Sequence, residues 1–281
     1  MTILIVGGSG FLGTELVRQA NAAGWATAAT YTTERGSALP GAWHHLDLRV
    51  PESLAAVLAE VSPRLVVNAS SGSADWAVTA RGPIRLAMAV ARAGVRLVHV
   101  SSDAVFSGRS RVPYDETCLP DPVTPYGAAK AAAETGVLAV CPRATVARAS
   151  LIIGHGRSEH EAFVHDLAAG RRDGVLFTDD IRCPVHVTDL AAALLELAST
   201  DAPGMHHLAG PDALSRHELG TLIARRDGLG PSRLPAGLRA DSPQPGALDV
   251  RLDSRATRRR LRTTLRGARD FLREGDAPRM T

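Results

Sequence analysis

Thr2-Ile3-Leu4-Ile5-Val6-Gly7-Gly8-Ser9-Gly10-Phe11-Leu12-Gly13 is the stretch that decides the fold. An apolar core strand runs straight into a glycine turn, and a helical pattern over 11–23 follows it. Gly8, Gly10 and Gly13 satisfy G-x-G-x-x-G; Gly7, Gly10 and Gly13 satisfy the related G-x-x-G-x-x-G. Glycines at these places allow a tight turn, let the backbone approach a pyrophosphate, and permit close helix–strand contact. The helix N-terminus then offers unpaired N–H groups to phosphate. Gly7, Gly8, Ser9, Gly10, Phe11, Leu12 and Gly13 are therefore expected to hold a dinucleotide. A merely structural tight turn is the plainer alternative, and the motif's place between a strand and a helix argues against it.

Outward from this turn, short apolar runs alternate with longer amphipathic ones. Strands are predicted at 2–6, 25–31, 43–46, 64–68, 95–100 and 144–150, with helices at 11–23, 51–61, 80–93 and 126–140. Right-handed crossovers between them give an α/β, doubly wound parallel (Rossmann) sheet with a smaller C-terminal substrate-binding part. The expected division is a dinucleotide-binding domain over 1–150, with 180–208 returning to it, and a smaller part from 151–179 and 209–281. Helices are predicted at 159–170 and 188–199, strands at 175–178 and 185–187, a proline-rich loop at 231–246 and a basic helix at 254–273.

The second strand ends near Tyr31, and Thr32-Thr33-Glu34-Arg35 follows. Glu34 suits the ribose hydroxyls of NAD, whereas Thr32, Thr33 and Arg35 suit a 2′-phosphate, so the reading favours NADP(H) and leaves NAD open; a solvated turn at Glu34 and Arg35 is the plainer alternative. Asp47, with Leu48 beside it at the end of the third strand, is placed to accept from the adenine amino group or to cap the next helix.

Composition sets outer bounds. The 281 residues are 45% hydrophobic and 22% charged, an ordinary globular balance. No apolar run approaches the length of a membrane helix, and no basic leader precedes the first strand, so the expectation is a soluble cytoplasmic protein. Cys118, Cys141 and Cys183 suggest neither a disulfide framework nor a zinc site. His160-Glu161 with His165 has the wrong spacing for a metalloprotease motif, and the pairs His44-His45 and His206-His207 alternate across strands, so no metal is expected. The net charge of +3 is too mild to argue for nucleic acid. Eight arginines between Arg255 and Arg273 lack aromatic stacking partners, which favours a solvated or subunit-facing surface.

Among 32 basic side chains one is a lysine, Lys130. Where arginine supplies charge everywhere else, that exception marks a position where a compact, titratable ammonium matters. It closes Thr124-Pro125-Tyr126-Gly127-Ala128-Ala129-Lys130. Thr124 is a good N-cap and Pro125 a favoured first helical residue, so Tyr126 lies in the first turn with Lys130 one turn on. The helix dipole and the ammonium are both expected to favour ionisation of the phenol. Ser102 closes the strand 95–100 as His99-Val100-Ser101-Ser102-Asp103, at the carboxyl edge where an open sheet presents its chemistry.

With these elements in place the chain resembles an extended short-chain dehydrogenase/reductase, and within it the dTDP-4-dehydrorhamnose reductase family. The blocks that carry the likeness are GGSGFLG (7–13), LDL (46–48), VVNAS (66–70), HVSSDAVFSG (99–108), YGAAK (126–130), RCPVHVTDLA (182–191), HHLAGPDALSRHEL (206–219) and LDVRLD (248–253). The resemblance implies a triad of Ser102, Tyr126 and Lys130, with Lys130 also on the nicotinamide ribose. It implies Asn68, Ala69 and Ser70 along the cofactor and Asp103 close to substrate. Arg182 would sit on a substrate phosphate, unless it pairs with Asp179 or Asp180. Ala104 replaces the tyrosine usual after the aspartate, and Thr79 stands where asparagine is common. The function expected is NADPH-dependent reduction of a nucleotide-linked 4-keto-6-deoxy sugar. The expected partner is that small molecule, with neither nucleic acid nor membrane, and a homodimer is possible. Competing readings are an NAD-dependent epimerase or dehydratase and a non-catalytic dinucleotide-binding subunit; Ala104, where dehydratases carry Glu, argues against elimination chemistry.

Overall fold

A computed structural model describes residues 2–34, 40–110 and 112–274. In chain order the elements are β1 (Thr2–Val6), α1 (Phe11–Ala22), β2 (Ala26–Tyr31), β3 (Ala42–His45), α2 (Pro51–Val61) and β4 (Leu65–Asn68). A π-helical turn, Ala77–Arg81, leads into α3 (Gly82–Arg92); β5 (Arg96–Ser102), a 3₁₀ turn (Asp103–Val105), α4 (Pro125–Val140) and β6 (Thr145–Ala149) come next. The remainder comprises β7 (Ile152–Ile153), α5 (Glu159–Ala168), β8 (Leu176–Phe177), β9 (Ile181–Arg182), β10 (Val185–His186), α6 (Val187–Ser199), β11 (Gly204–Leu208), β12 (Leu214–Ser215), α7 (Arg216–Arg226), β13 (Ala236–Gly237), α8 (Arg255–Arg258) and α9 (Ala268–Phe271).

Seven strands form one sheet in the order β11-β6-β5-β4-β1-β2-β3, parallel throughout. Strand alternation divides β1 between two layers: Ile3 and Ile5 pack with α1 and α6, Leu4 and Val6 with α2, α3 and α4. The sheet is thus buried on both faces, as a parallel sheet must be. Its order reverses between β1 and β4, which opens a crevice at their carboxyl ends. A separate core joins α5, α7 and α9 through Val164, Leu219, Ile223 and Phe271. Among the described residues no helix is long and apolar enough to cross a membrane.

The expected basic helix over 254–273 does not form. Only Arg255–Arg258 and Ala268–Phe271 are helical, and the chain between them lies along the surface. Leu261, Leu265, Ala268 and Leu272 keep a helical spacing, but the backbone N–H groups of Arg262 and Thr263 are taken by the Glu196 carboxylate and that of Arg266 by Asp189, and Gly267 interrupts the run, so the helical hydrogen-bond ladder is not made. The proline-rich segment 231–246 is irregular apart from β13, which pairs with β8.

Candidate active site

A cleft of about 680 Å³ runs along the carboxyl edge of the sheet, from Phe11 and Leu12 at the glycine turn to Arg216 and Arg239 in the C-terminal part. At its first end the glycines divide their work. Gly7 has φ +81°, and a Cβ there would come within 2.8 Å of the Ser70 backbone; at Gly13 a Cβ would fall on the Gly7 carbonyl. These two hold the turn closed. Gly10 has an ordinary φ of −75°, and an added Cβ would meet nothing nearer than the Gly7 oxygen at 3.4 Å. The fold does not need glycine there, whereas a diphosphate lying on the turn does. Gly10 also caps α1 with no side-chain hydrogen bond, so the first N–H groups of that helix have no side-chain acceptor. The residues present therefore fit a dinucleotide diphosphate.

Around this turn the predicted contacts separate. Thr33 and Glu34 are exposed at the end of β2; Arg35 lies outside the described residues. Ala69 and Ser70 line the cleft. Asn68 does not, and the expectation that it touches the cofactor is corrected: it is fully buried beneath the turn. Its Oδ1 accepts from the Ser70 hydroxyl at 2.6 Å, and its amide pairs with His99 Nδ1 at 3.2 Å. Asp47 is likewise engaged locally, accepting from the Arg49 backbone at 2.9 Å and from its guanidinium at 3.0 Å, which holds the carboxyl below its usual range. Leu48 packs its side chain into the core against Gly82.

At the middle of the cleft, Thr124 caps α4 by accepting from Gly127 N at 3.0 Å, with Pro125 as its first residue. A Cβ at Gly127 would collide with the Ala104 carbonyl, so α4 abuts the 3₁₀ turn and brings Tyr126 up to Ser102. Lys130 is buried, donates to the Val100 carbonyl at 3.0 Å, and has its ammonium 5.9 Å from the Tyr126 ring centre. Burial lowers its pKa to about 8, against the pull of the Glu134 carboxylate, so it remains mostly charged at neutral pH.

The expected acidification of Tyr126 is not seen. Burial of the phenol pushes its pKa up, the Asp103 and Glu159 carboxylates add to this, and hydrogen bonds from Ser102 and Ser71 pull the other way. Tyr126 thus stands protonated at neutral pH, the state a proton donor requires. Ser71 was not singled out by sequence reasoning. A serine in a run of serines carries no periodic signal, and only the approach of β4 to α4 reveals it.

At the far end, Asp103 is buried and accepts from Ser150 Oγ at 2.7 Å and from Ser102 Oγ at 3.3 Å. Arg182 lines the cleft, but its guanidinium is committed to Asp180 at 2.8 Å and to the carbonyls of Ile181, Ala247 and Leu248. The expectation of a substrate phosphate on Arg182 gives way to the pairing with Asp180. Two arginines that share this aspartate, Arg216 and Arg239, are more exposed and line the same cleft. Arg239 also lies 3.9 Å over the Phe177 ring. His160, kept neutral by burial with a pKa of about 3, pairs with Arg216 at 3.3 Å. These arginines sit 36 and 59 positions from Asp180, beyond the reach of any local motif.

The chain is 31% identical over 265 residues to a probable dTDP-4,6-dihydroxy-2-methyloxan-3-one 4-ketoreductase of Streptomyces antibioticus, covering 87% of this chain and 85% of that one. It is 35% identical over 182 residues to the dTDP-4-dehydrorhamnose reductase of Mycobacterium tuberculosis, spanning 63% of this chain and 60% of that enzyme. The structure of a dTDP-4-dehydrorhamnose reductase from Bacillus anthracis in complex with NADP superposes with a TM-score of 0.80 over 96% of this chain and 95% of that one, at 21% identity, a likeness of fold. A family-wide sequence profile, the RmlD substrate binding domain, matches residues 1–273, and the chain belongs to that family.

Proposed function

We propose that this protein is an NADPH-dependent ketoreductase acting on a nucleotide-linked 4-keto-6-deoxy sugar. The observation that carries the reading is the meeting of Ser102, Tyr126 and Lys130 midway along a cleft with the glycine turn at one end and Arg216 and Arg239 at the other. The named activities of the Streptomyces and Mycobacterium relatives support it.

The turn Gly7–Gly13 with α1 would hold the diphosphate of the nicotinamide cofactor, and Thr33 and Arg35 its 2′-phosphate. Bound NADPH supplies the hydride. The chain's own residues do the rest. Ser102 donates a hydrogen bond to the carbonyl oxygen and polarises it. Tyr126, protonated in its half-buried site, delivers the proton that turns the developing alkoxide into an alcohol. Lys130 keeps a positive charge below the phenol and stabilises the phenolate left behind. Arg216 and Arg239 receive the anionic diphosphate of the substrate, since both present guanidinium groups to the cleft while Asp180 anchors them.

The test follows NADPH absorbance against dTDP-, GDP- and UDP-linked keto sugars. At least one is consumed by the wild type, and Tyr126→Phe lowers kcat about 100-fold or more while NADPH still binds. Undiminished reduction by that variant would remove Tyr126 from its role.

A further inference from the structure

Arg182 lies buried in the cleft wall with every arm of its guanidinium engaged. Nη1 meets Asp180 Oδ1 at 2.8 Å and donates to the Ile181 and Leu248 carbonyls, each at 2.7 Å; Nη2 donates to the Ala247 carbonyl at 3.1 Å. Nε faces Asp103 Oδ2 at 3.7 Å, an ion pair between two side chains nearly shut off from water. A planar fork tied at these corners cannot swing without breaking several contacts, so the charge beside Asp103 is fixed in place.

Asp103 links that charge to the reacting centre. Its Oδ2 also accepts from Ser150 Oγ at 2.7 Å, and Ser150 Oγ accepts in turn from the backbone of Cys183 at 3.2 Å. Its Oδ1 accepts from Ser102 Oγ at 3.3 Å, a long contact for two oxygens. Ser102 Oγ itself accepts from the Ala104 N–H at 3.2 Å. The serine oxygen is thus held, and its hydrogen has two destinations: the Asp103 carboxylate and a carbonyl oxygen in the cleft. A buried carboxylate with no cation beside it would keep that hydrogen, because charged acceptors make the stronger bonds and an uncompensated charge away from water is costly.

We infer that Arg182 is a positioning residue for the reduction: by occupying Asp103 it leaves the Ser102 hydroxyl free to turn to the substrate carbonyl. This rests on Ser102 being the group that polarises the carbonyl. The same guanidinium reaches Asp180, which carries Arg216 and Arg239, so one side chain joins the frame of the diphosphate receptor to that of the reacting centre.

Arg182→Gln should lower kcat about tenfold with KM nearly unchanged. Its affinity for dTDP and UDP, read by calorimetry, should stay within about twofold of wild type, whereas Arg216→Ala should weaken the diphosphates about tenfold. Adding Asp103→Asn to Arg182→Gln should recover about threefold in kcat, since a neutral amide releases the hydroxyl; lost packing alone allows no such recovery. Arg182→Lys, whose single ammonium cannot serve Asp180 and Asp103 together, should show the same pattern with a smaller loss, and it stands in where Arg182→Gln does not fold. A double variant no faster than Arg182→Gln overturns the inference. So does a fall in dTDP and UDP affinity with kcat intact, which would return Arg182 to the phosphate. If the wild type reduces no keto sugar, the proposed activity fails. Urea midpoints of the wild type, the two single variants and the double variant then decide whether Arg182 holds Asp103, because losing Arg182 should cost less stability where Asp103 is already asparagine.

Discussion

Lys130 carries a charge in a place better suited to a neutral group. In the unfolded chain a lysine holds its proton to about pH 10.4, whereas burial brings the folded value to about 8. Below pH 8 both states are protonated and the cost of burying the ammonium is fully present. Between about 8 and 10.5 the folded protein has shed the proton and the unfolded chain has not, so this group's contribution to stability rises with pH. The drop in pKa corresponds to ~3 kcal/mol. Lys130→Met should accordingly raise the urea midpoint at pH 7, raise it less at pH 10, and abolish turnover. A variant no more stable than its parent at pH 7 contradicts this account. Tyr126 and Lys130 are legible in the sequence because helical spacing alone brings i and i+4 together. The protonation of Tyr126 is not, since burial of the phenol and the Asp103 and Glu159 carboxylates outweigh the dipole and ammonium that the local pattern displays. Arg182 is illegible for a related reason: its acceptors at Ala247 and Leu248 lie 65 and 66 positions further on.

The glycine turn joins strand, helix and ligand in a single element, and its residues can be told apart by substitution. Gly13→Ala forces a methyl onto the Gly7 carbonyl and should destabilise the fold by about 2 kcal/mol, lowering the melting temperature along with cofactor affinity. Gly10→Ala finds room and a compatible φ, so it should leave the melting temperature nearly unchanged and weaken NADPH binding about tenfold. Equal losses of stability in the two variants would mean that Gly10 serves the turn and not the ligand. Such elements read well because their signals are local. The strands at β1, β4 and β6 and the helices α1, α2 and α4 fall within a residue or two of their sequence limits. The π-helical turn before α3 and the two short helices α8 and α9 do not, because what fixes them is contact with distant chain. The buried Thr79 holds the loop before it, and Thr257 donates its hydroxyl to Glu116, 141 positions away.

Across the whole molecule, β6 and β11 are neighbours in one sheet although α5, β9 and β10 intervene in the chain. The cleft is therefore bounded by segments that leave the sheet and return to it, and Ser150, one residue beyond β6, fixes Asp103 on the 3₁₀ turn beyond β5. Deep in the same region Arg148 and Glu134 form a buried ion pair at 2.8 Å that ties β6 to α4. Every other basic side chain except histidine is a guanidinium, so the protein carries a single ε-amino group, and that group lies on the cleft wall. At neutral pH about a tenth of it is the free base. An aldehyde trapped with borohydride should therefore modify one side chain, at Lys130, with loss of activity in proportion to the label, and bound dinucleotide should shield it. Labelling that leaves catalysis intact would place the reactive nitrogen elsewhere. The scarcity of lysine thus lets label on that one side chain, told apart from the α-amino group by peptide mass, count working cofactor sites.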